Sequence, residues 1–259
     1  MDKVCNIQRT FLMPAASPGL DCRYGFFDRH GGIGANPFNS MNVSYGVGDA
    51  EHIVLTNRQR LEKTLGSSSL LSARQVHGDG IYSLSTPVTC NMEIDSVDAL
   101  ITNQAGVGLM IQQADCQAIL LFDPLKKVVA AIHCGWRGSV MNIIARVVQR
   151  LKTRFDTGPE NLLAVISPSL GPCCAEFVNY REELPVEFRP FMVKQDFFDF
   201  WQISKFQLAG AGVRESNITI AGICTCCSED YFSYRRASKK SEGITGRNCS
   251  VIVMDRWDS

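Results

Sequence analysis

Two histidines and one cysteine share a sequence setting in which an apolar run gives way to a turn. His77 lies in Q-V-H-G, His133 lies in H-C-G-W-R-G, and Cys116 lies in A-D-C between two apolar runs. Positions of this kind expose reactive side chains on a rigid scaffold. Two neutral imidazoles and one thiolate form a three-ligand set used by catalytic zinc sites, which leaves the fourth position for water or substrate. The thiolate also favours zinc over magnesium and calcium.

The same three residues allow two other interpretations. Cys116 could be a nucleophile with His133 or His77 as its base, because a thiolate activated by an imidazole resembles a metal-bound thiolate in sequence. Alternatively, both histidines could be satisfied in the core or in a turn, with Cys116 a buried thiol. The ligands are not closely spaced, as in H-x-x-x-H or C-x-x-C, so spacing alone leaves these alternatives open. A measurement of bound metal would distinguish a zinc site from a cysteine nucleophile.

The chain contains 11 cysteines and only 4 histidines. An odd number of cysteines in a chain of 259 residues does not suit the disulfide framework of a small secreted domain. Cys224 and Cys227 form a C-x-x-C pair that could contribute to a structural zinc site, but no second pair follows at zinc-finger spacing. We therefore expect these thiols to pack at the end of a strand instead. Of the adjacent Cys173 and Cys174, we expect at least Cys173 to line a pocket. The cysteines expected to be incidental are Cys5, Cys22 and Cys90.

Arginines beside glycines indicate where an anion could bind. Arg29 precedes two glycines in R-H-G-G, and Arg247 ends T-G-R near the C-terminus. Arg235 and Arg236 follow an aromatic run. Arginine suits phosphate because its guanidinium can donate two parallel hydrogen bonds, and glycine lets backbone N–H groups approach. None of these segments matches a phosphate-loop or dinucleotide fingerprint, so each could also be a solvated surface charge.

The composition excludes several classes of protein. The 26 basic and 26 acidic residues balance, which argues against a broad basic surface for nucleic acid. Hydrophobic residues make up 45% and charged residues 20%, as in an ordinary globular protein. No window approaches the roughly 18 apolar residues of a membrane helix, and the N-terminus lacks the apolar core of a signal peptide. We therefore expect a cytoplasmic protein whose cysteines are thiols.

The positions of helices and strands follow from apolar periodicity. Helices are predicted over residues 50–65, ending at Gly66, and over residues 139–155, beginning at Gly138-Ser139. The aromatic residues at 197–201 are expected to be helix core. Short runs rich in Val, Ile and Leu are predicted as strands: LLSARQVHG, IYSLST, DALITN, GVGLMIQQ, AILLFDP, VVAAIHCGW, LLAVISPSLG, ITIAGICT and SVIVM.

Two more segments are predicted to contain strands. Residues 22–45 indicate a strand, a glycine-rich loop and a second strand, and the aromatic run at 231–234 indicates another strand. No repeat or long linker interrupts the chain. The sequence therefore predicts a single α/β domain over residues 1–259 with mixed strands.

Taken together, these segments resemble one family closely. The motifs occur in the order RHGGIGANPFNSMNVSYGVGD, RQVHGDGI, DALIT, ADCQAILLFDP, AAIHCGWRGS, GPCC and YFSYRR…TGR. They are similar to the YfiH/LACC1 family, whose members have been called multicopper polyphenol oxidoreductases or laccases. The resemblance runs from about Arg23 to Met254, and the combination of Q-x-H-G, A-D-C and H-x-G-W-R-G is highly specific.

The resemblance implies a compact α/β domain, with a central mixed sheet flanked by helices, that holds zinc through His77, Cys116 and His133. It also implies purine nucleoside chemistry: phosphorolysis of adenosine, inosine, guanosine and methylthioadenosine, and deamination of adenosine. A bacterial branch of the family is linked instead to removal of a wrongly added serine from a muramyl precursor of peptidoglycan, UDP-MurNAc-L-serine. Copper-dependent oxidation of phenols, which the laccase label implies, would need several coppers with many more imidazole ligands than four histidines supply.

Further roles follow from these implied reactions. Phosphate would be held by arginines, for which the candidates are Arg29, Arg137 and Arg247. Asn42 and Gln75 could hydrogen-bond the base or the sugar, and Cys173 could line the same pocket. A proton must reach the leaving ammonia, and the carboxyls considered for this transfer are Asp115 and Glu176. The expected partners are a purine nucleoside and phosphate, and the chain is expected to be a monomer or a homodimer.

Overall fold

A computed structural model describes residues 22–255, so the predictions for the N-terminal segment and for Cys5 lie outside the described residues. The strands are β1 Cys22–Phe27, β2 Ser69–Arg74, β3 Ile81–Leu84, β4 Met92–Asp95, β5 Ala99–Thr102, β6 Val107–Gln113, β7 Gln117–Asp123, β8 Val128–Cys134, β9 Leu163–Ile166, β10 Met192–Lys194, β11 Phe197–Phe198, β12 Ile218–Ile220 and β13 Asn248–Met254. The α-helices are α1 Glu51–Leu65, α2 Trp136–Val140, α3 Ile143–Phe155, α4 Tyr180–Glu183, α5 Phe200–Gly210 and α6 Tyr234–Lys240.

Two large sheets contain most of these strands. The first sheet has the order β1-β13-β6-β2-β4, and the second has the order β12-β9-β7-β8-β5-β3. Each sheet mixes parallel and antiparallel pairs. In the first sheet β6 is parallel to β2 and antiparallel to β13, and in the second sheet β9 is parallel to β12 and antiparallel to β7. The prediction of an α/β domain with mixed strands is therefore confirmed.

The middle residues of the central strands are apolar on both faces of the strand, because both faces are buried. In β7, Leu120 and Phe122 belong to the core that also contains residues of the first sheet. Their neighbours Ile119 and Leu121 point the other way, into the core shared with α3 and α5. Successive side chains of a strand alternate between faces, so a strand covered on both sides has no polar alternation.

Helices cover the two outer faces of the sheet pair. Leu61 and Leu65 of α1 pack with Met110 and Val251 of the first sheet. The apolar positions of α3 pack on the second sheet. The result is a stack of four layers in the order helix, sheet, sheet, helix. Helix α1 ends, as predicted, at Gly66, whose φ of 64° places it in the left-handed region that favours glycine.

Three predictions of local structure are wrong. The segment 22–45 contains β1 but no second strand; instead, residues 45–47 form a turn of 3₁₀-helix. The helix predicted to begin at Gly138-Ser139 is two helices, α2 and α3, because Asn142 adopts a left-handed φ of 51° and accepts a hydrogen bond from the Ala145 N–H. The aromatic run at 231–234 is not a strand, because Ser233 caps the N-terminus of α6.

The aromatic segment at 197–201 is divided between two elements. Phe197 and Phe198 form β11, which pairs with β10, and only Phe200 and Trp201 begin the helix α5. Phe198 and Phe200 are nevertheless core residues of one aromatic cluster. These aromatic residues therefore pack in the core as expected, but Phe198 does so from a strand and only Phe200 from a helix.

The chain crosses from the first sheet to the second at three places near one end of the stack. These crossings join β2 to β3 through residues 75–80, β4 to β5 through residues 96–98, and β6 to β7 through residues 114–116. His77 and Cys116 lie in these crossings, and His133 lies near the end of β8, opposite Ala118. The sheet pairing thus gathers the three residues at one end. Among the described residues, no helix is long and apolar enough to cross a membrane.

Phe122 provides a test of the layer between the sheets. We expect Phe122→Ala to lower the free energy of unfolding by about 3–5 kcal/mol, because it removes a buried ring and leaves a cavity between two sheets that cannot collapse freely. Leu125→Ala, at a turn residue that is 69% exposed, should change it by no more than about 0.5 kcal/mol. Urea unfolding followed by circular dichroism measures both, and equal effects would contradict the assignment of this core.

Candidate metal and active site

A buried carboxylate organises the candidate site. Asp98 is fully buried and lies immediately before β5. Its oxygens accept hydrogen bonds from the backbone N–H groups of Val76, His77 and Gly78, at 3.3, 3.0 and 2.7 Å. A buried carboxylate is costly unless donors satisfy it, so these bonds hold the turn after β2 against the start of β5. They also support His77 in the left-handed region, with a φ of 59°.

The same carboxylate orients His133. Nδ1 of His133 lies 2.7 Å from an oxygen of the Asp98 carboxylate, and the backbone N–H of His133 donates to the Asp98 carbonyl at 2.7 Å. Since Nδ1 is engaged, Nε2 is the nitrogen left to bind a ligand. Metal-binding histidines are commonly oriented by a carboxylate in this way.

His77, Cys116 and His133 form one cluster. Nε2 of His77 lies 3.8 Å from Sγ of Cys116, and the rings of His77 and His133 meet edge to face with their centroids 4.8 Å apart. One ligand atom from each residue lies within 4.8 Å of the other two. The cluster could therefore hold a metal ion through two imidazoles and a thiolate.

The cluster favours an ionised thiol. Burial opposes a charge on Cys116, but His133 and His77 outweigh it and lower the pKa of the thiol to about 6. Burial also opposes a charge on His133, whereas Cys116 and Asp98 raise the pKa of its imidazole to about 9. Burial would raise the pKa of Asp98, but hydrogen bonds from His133 and from the backbone hold it below its usual range. At neutral pH and without metal, these pKa shifts favour the ionised forms of Cys116, His133 and Asp98.

The backbone at residue 135 lies directly against the cluster. A Cβ atom at Gly135 would lie 3.0 Å from Sγ of Cys116 and 3.3 Å from Cδ2 of His77. A larger residue would therefore displace two of the three side chains. This close approach explains why glycine follows His133 by two positions in H-x-G.

The cluster lies in the wall of a cavity of about 1010 Å³. Aromatic residues of its lining are Tyr45, Trp136, Phe177, Phe200 and Tyr234. Arginines of its lining are Arg74, Arg137, Arg235 and Arg247. Aromatic faces can stack on a planar ring, and guanidinium groups can bind an anion. The cavity thus offers both kinds of contact beside the three potential metal ligands.

Comparison with known sequences shows the family. Residues 23–255 match the family described as multi-copper polyphenol oxidoreductase laccase. The chain belongs to this family. A relative named purine nucleoside phosphorylase YlmD, from Geobacillus stearothermophilus, is 32% identical over 263 residues and is covered to 94%, as is this chain. A relative named purine nucleoside phosphorylase from Deinococcus radiodurans is 31% identical over 250 residues, which cover 93% of this chain and 92% of the relative.

Solved structures of the family share the fold. The crystal structure of YlmD from Geobacillus stearothermophilus has a TM-score of 0.81 at 31% identity and covers 93% of this chain and 94% of its own. The hypothetical protein YfiH from Bacillus licheniformis has a TM-score of 0.81 at 26% identity, with 90% and 93% covered. The resemblance read from the motifs, and the fold that it implied, are confirmed.

Three of the predicted substrate-binding residues line the cavity: Gln75, Arg137 and Arg247. The Arg137 guanidinium lies over the Trp136 ring, 4.7 Å from its centroid. Nη1 of Arg247 donates to the backbone carbonyls of residues 245 and 246. The side-chain amide of Gln75 forms a pair of hydrogen bonds with the backbone of Gln112, at 2.7 and 2.8 Å, so it also ties β2 to β6.

The other three predicted substrate-binding residues lie away from this cavity. Arg29 donates instead to the carbonyl and side-chain oxygens of Asn39, both at 2.8 Å. Asn42 is fully buried and accepts a hydrogen bond from the Arg247 N–H at 2.9 Å, so it positions an arginine of the cavity. Cys173 lies among other cysteines. The local sequence around these residues does not show which way their side chains point.

The two carboxyls considered for proton transfer differ in their surroundings. Asp115 accepts hydrogen bonds from Oγ1 of Thr225 at 2.7 Å and from the Arg235 N–H at 2.6 Å, so each of its oxygens is engaged. Its geometry suits a residue that ties loops together. Glu176 is exposed and lines the cavity, where its carboxyl can meet a bound molecule.

The sequence analysis missed Asp98 and the aromatic walls. Asp98 begins the motif DALIT, where an acid stands directly before a strand that is buried along its whole length. An acidic residue next to a buried apolar strand needs hydrogen-bond donors, so this position was the feature of the sequence that could have indicated the role of Asp98. Trp136, Phe177 and Tyr234 come from distant segments, so no local pattern joins them.

Asp98→Asn tests the orienting role of the buried carboxylate. We expect the variant to bind a divalent metal ion at the cluster about 10–100-fold more weakly, because an amide does not supply the charge that supports His133 and presents an N–H₂ group to backbone donors. Asp95→Asn, at a side chain that is 70% exposed, is the matched control. Competition with a chromophoric chelator measures the affinity of both, and equal affinities would rule out the role assigned to Asp98.

The ionisation of Cys116 can be followed in metal-free protein. Because its pKa is lowered, the thiolate is present above pH 6 and is lost as the pH falls through about 6. We therefore expect the rate of alkylation by iodoacetamide to be half-maximal near pH 6, measured by mass spectrometry of the Cys116 peptide. The peptide of the exposed Cys90 serves as the internal reference. A midpoint near 9, the ordinary value for a thiol, would contradict the influence of the two histidines.

Proposed function

We propose that this protein is a zinc-dependent purine nucleoside phosphorylase that also deaminates adenosine. The observation that carries the proposal is the His77–Cys116–His133 cluster in a cavity with aromatic and arginine walls. The names of the relatives from Geobacillus stearothermophilus and Deinococcus radiodurans support the same reaction class. The proposed substrates are adenosine, inosine, guanosine and methylthioadenosine, together with phosphate. A protein that depends on a thiolate suits the reducing cytoplasm.

The donor set of the cluster suits zinc. Bonds of about 2.0–2.3 Å from a tetrahedral zinc to nitrogen and sulfur separate neighbouring ligand atoms by about 3.3–3.8 Å. The 3.8 Å between Nε2 of His77 and Sγ of Cys116 lies at the upper end of that range. His77, Cys116 and His133 would hold the zinc, which would supply Lewis-acid chemistry beside the cavity.

The cavity lining supplies contacts for each part of a nucleoside and phosphate. Arg137 and Arg247 carry guanidinium groups that can bind phosphate oxygens in pairs. Trp136, Phe177 and Tyr234 present rings on which a purine can stack. Gln75 retains one amide N–H beyond its pair with Gln112, which can reach the base or sugar.

Phosphorolysis requires these contacts to hold two reactants in line. A phosphate oxygen forms a bond to C1′ of the ribose while the C1′–N9 bond breaks. The electron pair of the C1′–N9 bond leaves with the purine, which takes up one proton from water. The products are the free base and ribose 1-phosphate. The arginines contribute by neutralising the phosphate and by holding its attacking oxygen beside the sugar.

Deamination replaces the amine at C6 of adenosine with an oxygen from water. The C6–N bond breaks, and the departing ammonia must collect a proton. Glu176 is the carboxyl of the cavity to which we assign this proton transfer, since both oxygens of Asp115 are engaged elsewhere.

Copper oxidation of phenols is not supported by the supply of ligands. Besides His77 and His133, the chain has two histidines. His30 pairs with Asp230 at 3.1 Å, and His52 is exposed on α1, so neither joins the cluster. One site with two imidazoles and one thiolate does not hold the several coppers of a multicopper oxidase.

A second candidate function is favoured by the charges of the metal-free cluster. A Cys116 thiolate beside His133, which is in turn oriented by Asp98, is the arrangement of an activated cysteine nucleophile. In that case the protein would hydrolyse an amide, such as that of UDP-MurNAc-L-serine, through a thioester on Cys116. Mass spectrometry of intact protein after mixing with the amide would detect this adduct, and nucleoside phosphorolysis produces none.

Turnover of inosine with and without phosphate tests the proposal. The zinc-loaded wild type should release hypoxanthine and ribose 1-phosphate only when phosphate is present. Cys116→Ala should lower kcat/KM by about 1000-fold or more, because it removes a metal ligand and with it several kcal/mol of transition-state stabilisation. Cys90→Ala, at an exposed cysteine, is the matched control and should match the wild type.

Three results would contradict the proposal. They are inosine cleavage by Cys116→Ala at the wild-type rate, hypoxanthine release that does not depend on phosphate, and less than about a tenth of an equivalent of zinc in protein expressed with ample zinc. A panel that adds UDP-MurNAc-L-serine and a phenol distinguishes the alternative functions.

A further inference from the structure

Four cysteine sulfurs meet outside the cavity site. Cys173 and Cys174 lie in the loop after β9, and Cys224 and Cys227 lie in the loop after β12. Their four Sγ atoms all lie within 4.8 Å of one another. We propose that these four thiolates bind a second zinc ion, which joins the two loops and has a structural role. This site is separate from the proposed nucleoside chemistry and does not depend on it.

Two of the distances between the sulfurs are close to those around a tetrahedral ion. Sγ of Cys227 lies 3.5 Å from Sγ of Cys173 and 3.5 Å from Sγ of Cys174. Zinc–sulfur bonds of about 2.3 Å in a tetrahedron place the sulfurs about 3.8 Å apart. A disulfide would require about 2.05 Å. An iron–sulfur cluster would require wider spacing, because several irons and sulfides lie between the cysteines.

The strand pairing explains why the two cysteine pairs meet. Strands β9 and β12 are parallel neighbours, so their C-terminal ends lie at the same edge of the second sheet. The pairing continues into the loops through a bridge between Ser169 and Cys224. A second cysteine pair is thus present, as in a zinc finger. It consists of the adjacent Cys173 and Cys174, which precede the C-x-x-C pair by about fifty residues. The sequence favoured packing at a strand end over a structural zinc because no second pair follows Cys224 and Cys227, whereas the pair that meets them precedes them in the chain.

The surroundings suit a centre of four thiolates and one divalent ion, which carries two negative charges. The Gly171 N–H donates to Sγ of Cys224 at 3.3 Å, and such bonds stabilise a thiolate. Arg235 donates to the carbonyl of Cys174 at 3.1 Å. Arg236 donates to the carbonyls of residues 225 and 226 at 2.8 and 3.0 Å. Two guanidinium groups therefore stand on the ligand loops and offset the charge.

A metal ion here would support the cavity. The loop after Cys174 supplies Ala175, Glu176 and Phe177 to the cavity lining. The other loop reaches Asp115, the neighbour of Cys116, through the hydroxyl of Thr225. Joining the two loops therefore fixes one wall of the cavity relative to the cluster that contains Cys116.

Zinc content in a Cys116→Ala background tests the proposal without measuring activity. This full-length variant lacks the thiolate of the first cluster, so we expect it to retain about one equivalent of zinc after gel filtration, measured by mass spectrometry of elements. Adding Cys227→Ser should lower zinc to about a tenth of an equivalent or less. Adding Cys226→Ser, in the same loop but outside the group of four, should leave it unchanged. A failure of phosphorolysis would not alter these counts.

Cobalt keeps the test valid if the double variant does not fold. The Cys116→Ala variant is loaded with Co²⁺ by refolding or by metal exchange, and its absorption spectrum is recorded. We expect intense thiolate-to-cobalt charge-transfer bands and the visible bands of a tetrahedral cobalt ion. Any of three results would overturn the proposal: no bound metal with four free thiols, a disulfide within the group in freshly purified protein, or iron in place of zinc. Loss of zinc on changing Cys226 would overturn the ligand assignment.

Discussion

The buried carboxylate of Asp98 is the constraint on which the site depends. The carboxylate has no access to solvent, so hydrogen-bond donors of the protein must satisfy its charge. These donors are backbone N–H groups of the turn that contains His77, and Nδ1 of the His133 ring. One requirement therefore sets the positions of both histidines. Cys116 and Asp98 together raise the pKa of the His133 imidazole, and the charged imidazole in turn favours the thiolate of Cys116. Removal of the carboxylate would affect geometry and charge together.

The two stacked sheets make this concentration of polar groups possible. The central strands bury both faces, so their apolar side chains supply the core while the chain crossings at one end remain free for chemistry. Residues 75–80 and 114–116 pass from one sheet to the other there, and each crossing carries one potential ligand. Gly135 then allows the backbone after β8 to approach both of them. The rigid layers thus hold a polar site at their edge.

Asp115 links the two groups of potential metal ligands. It precedes Cys116 in the chain, and its side chain accepts hydrogen bonds from Thr225, which lies between Cys224 and Cys227, and from the backbone of Arg235. The proposed structural zinc would therefore act on the proposed catalytic zinc only through position, by fixing the loops around Asp115. This division of roles needs seven ligands, of which five are thiolates. With this ligand set, a chain with few histidines would be able to hold more than one ion.

Residue types and periodicity determined much of this protein from the sequence alone. The continuous apolar runs located the central strands, Gly66 located the end of α1, and three motifs identified His77, Cys116 and His133 as a set. The sequence could not show that Asp98 satisfies two of them, that Arg29 turns away from the cavity, or that Cys173 and Cys174 meet Cys224 and Cys227. Composition and spacing report which side chains are buried and what they can bind. Which of them meet is decided by strand pairing over long separations, and only the tertiary structure contains that information.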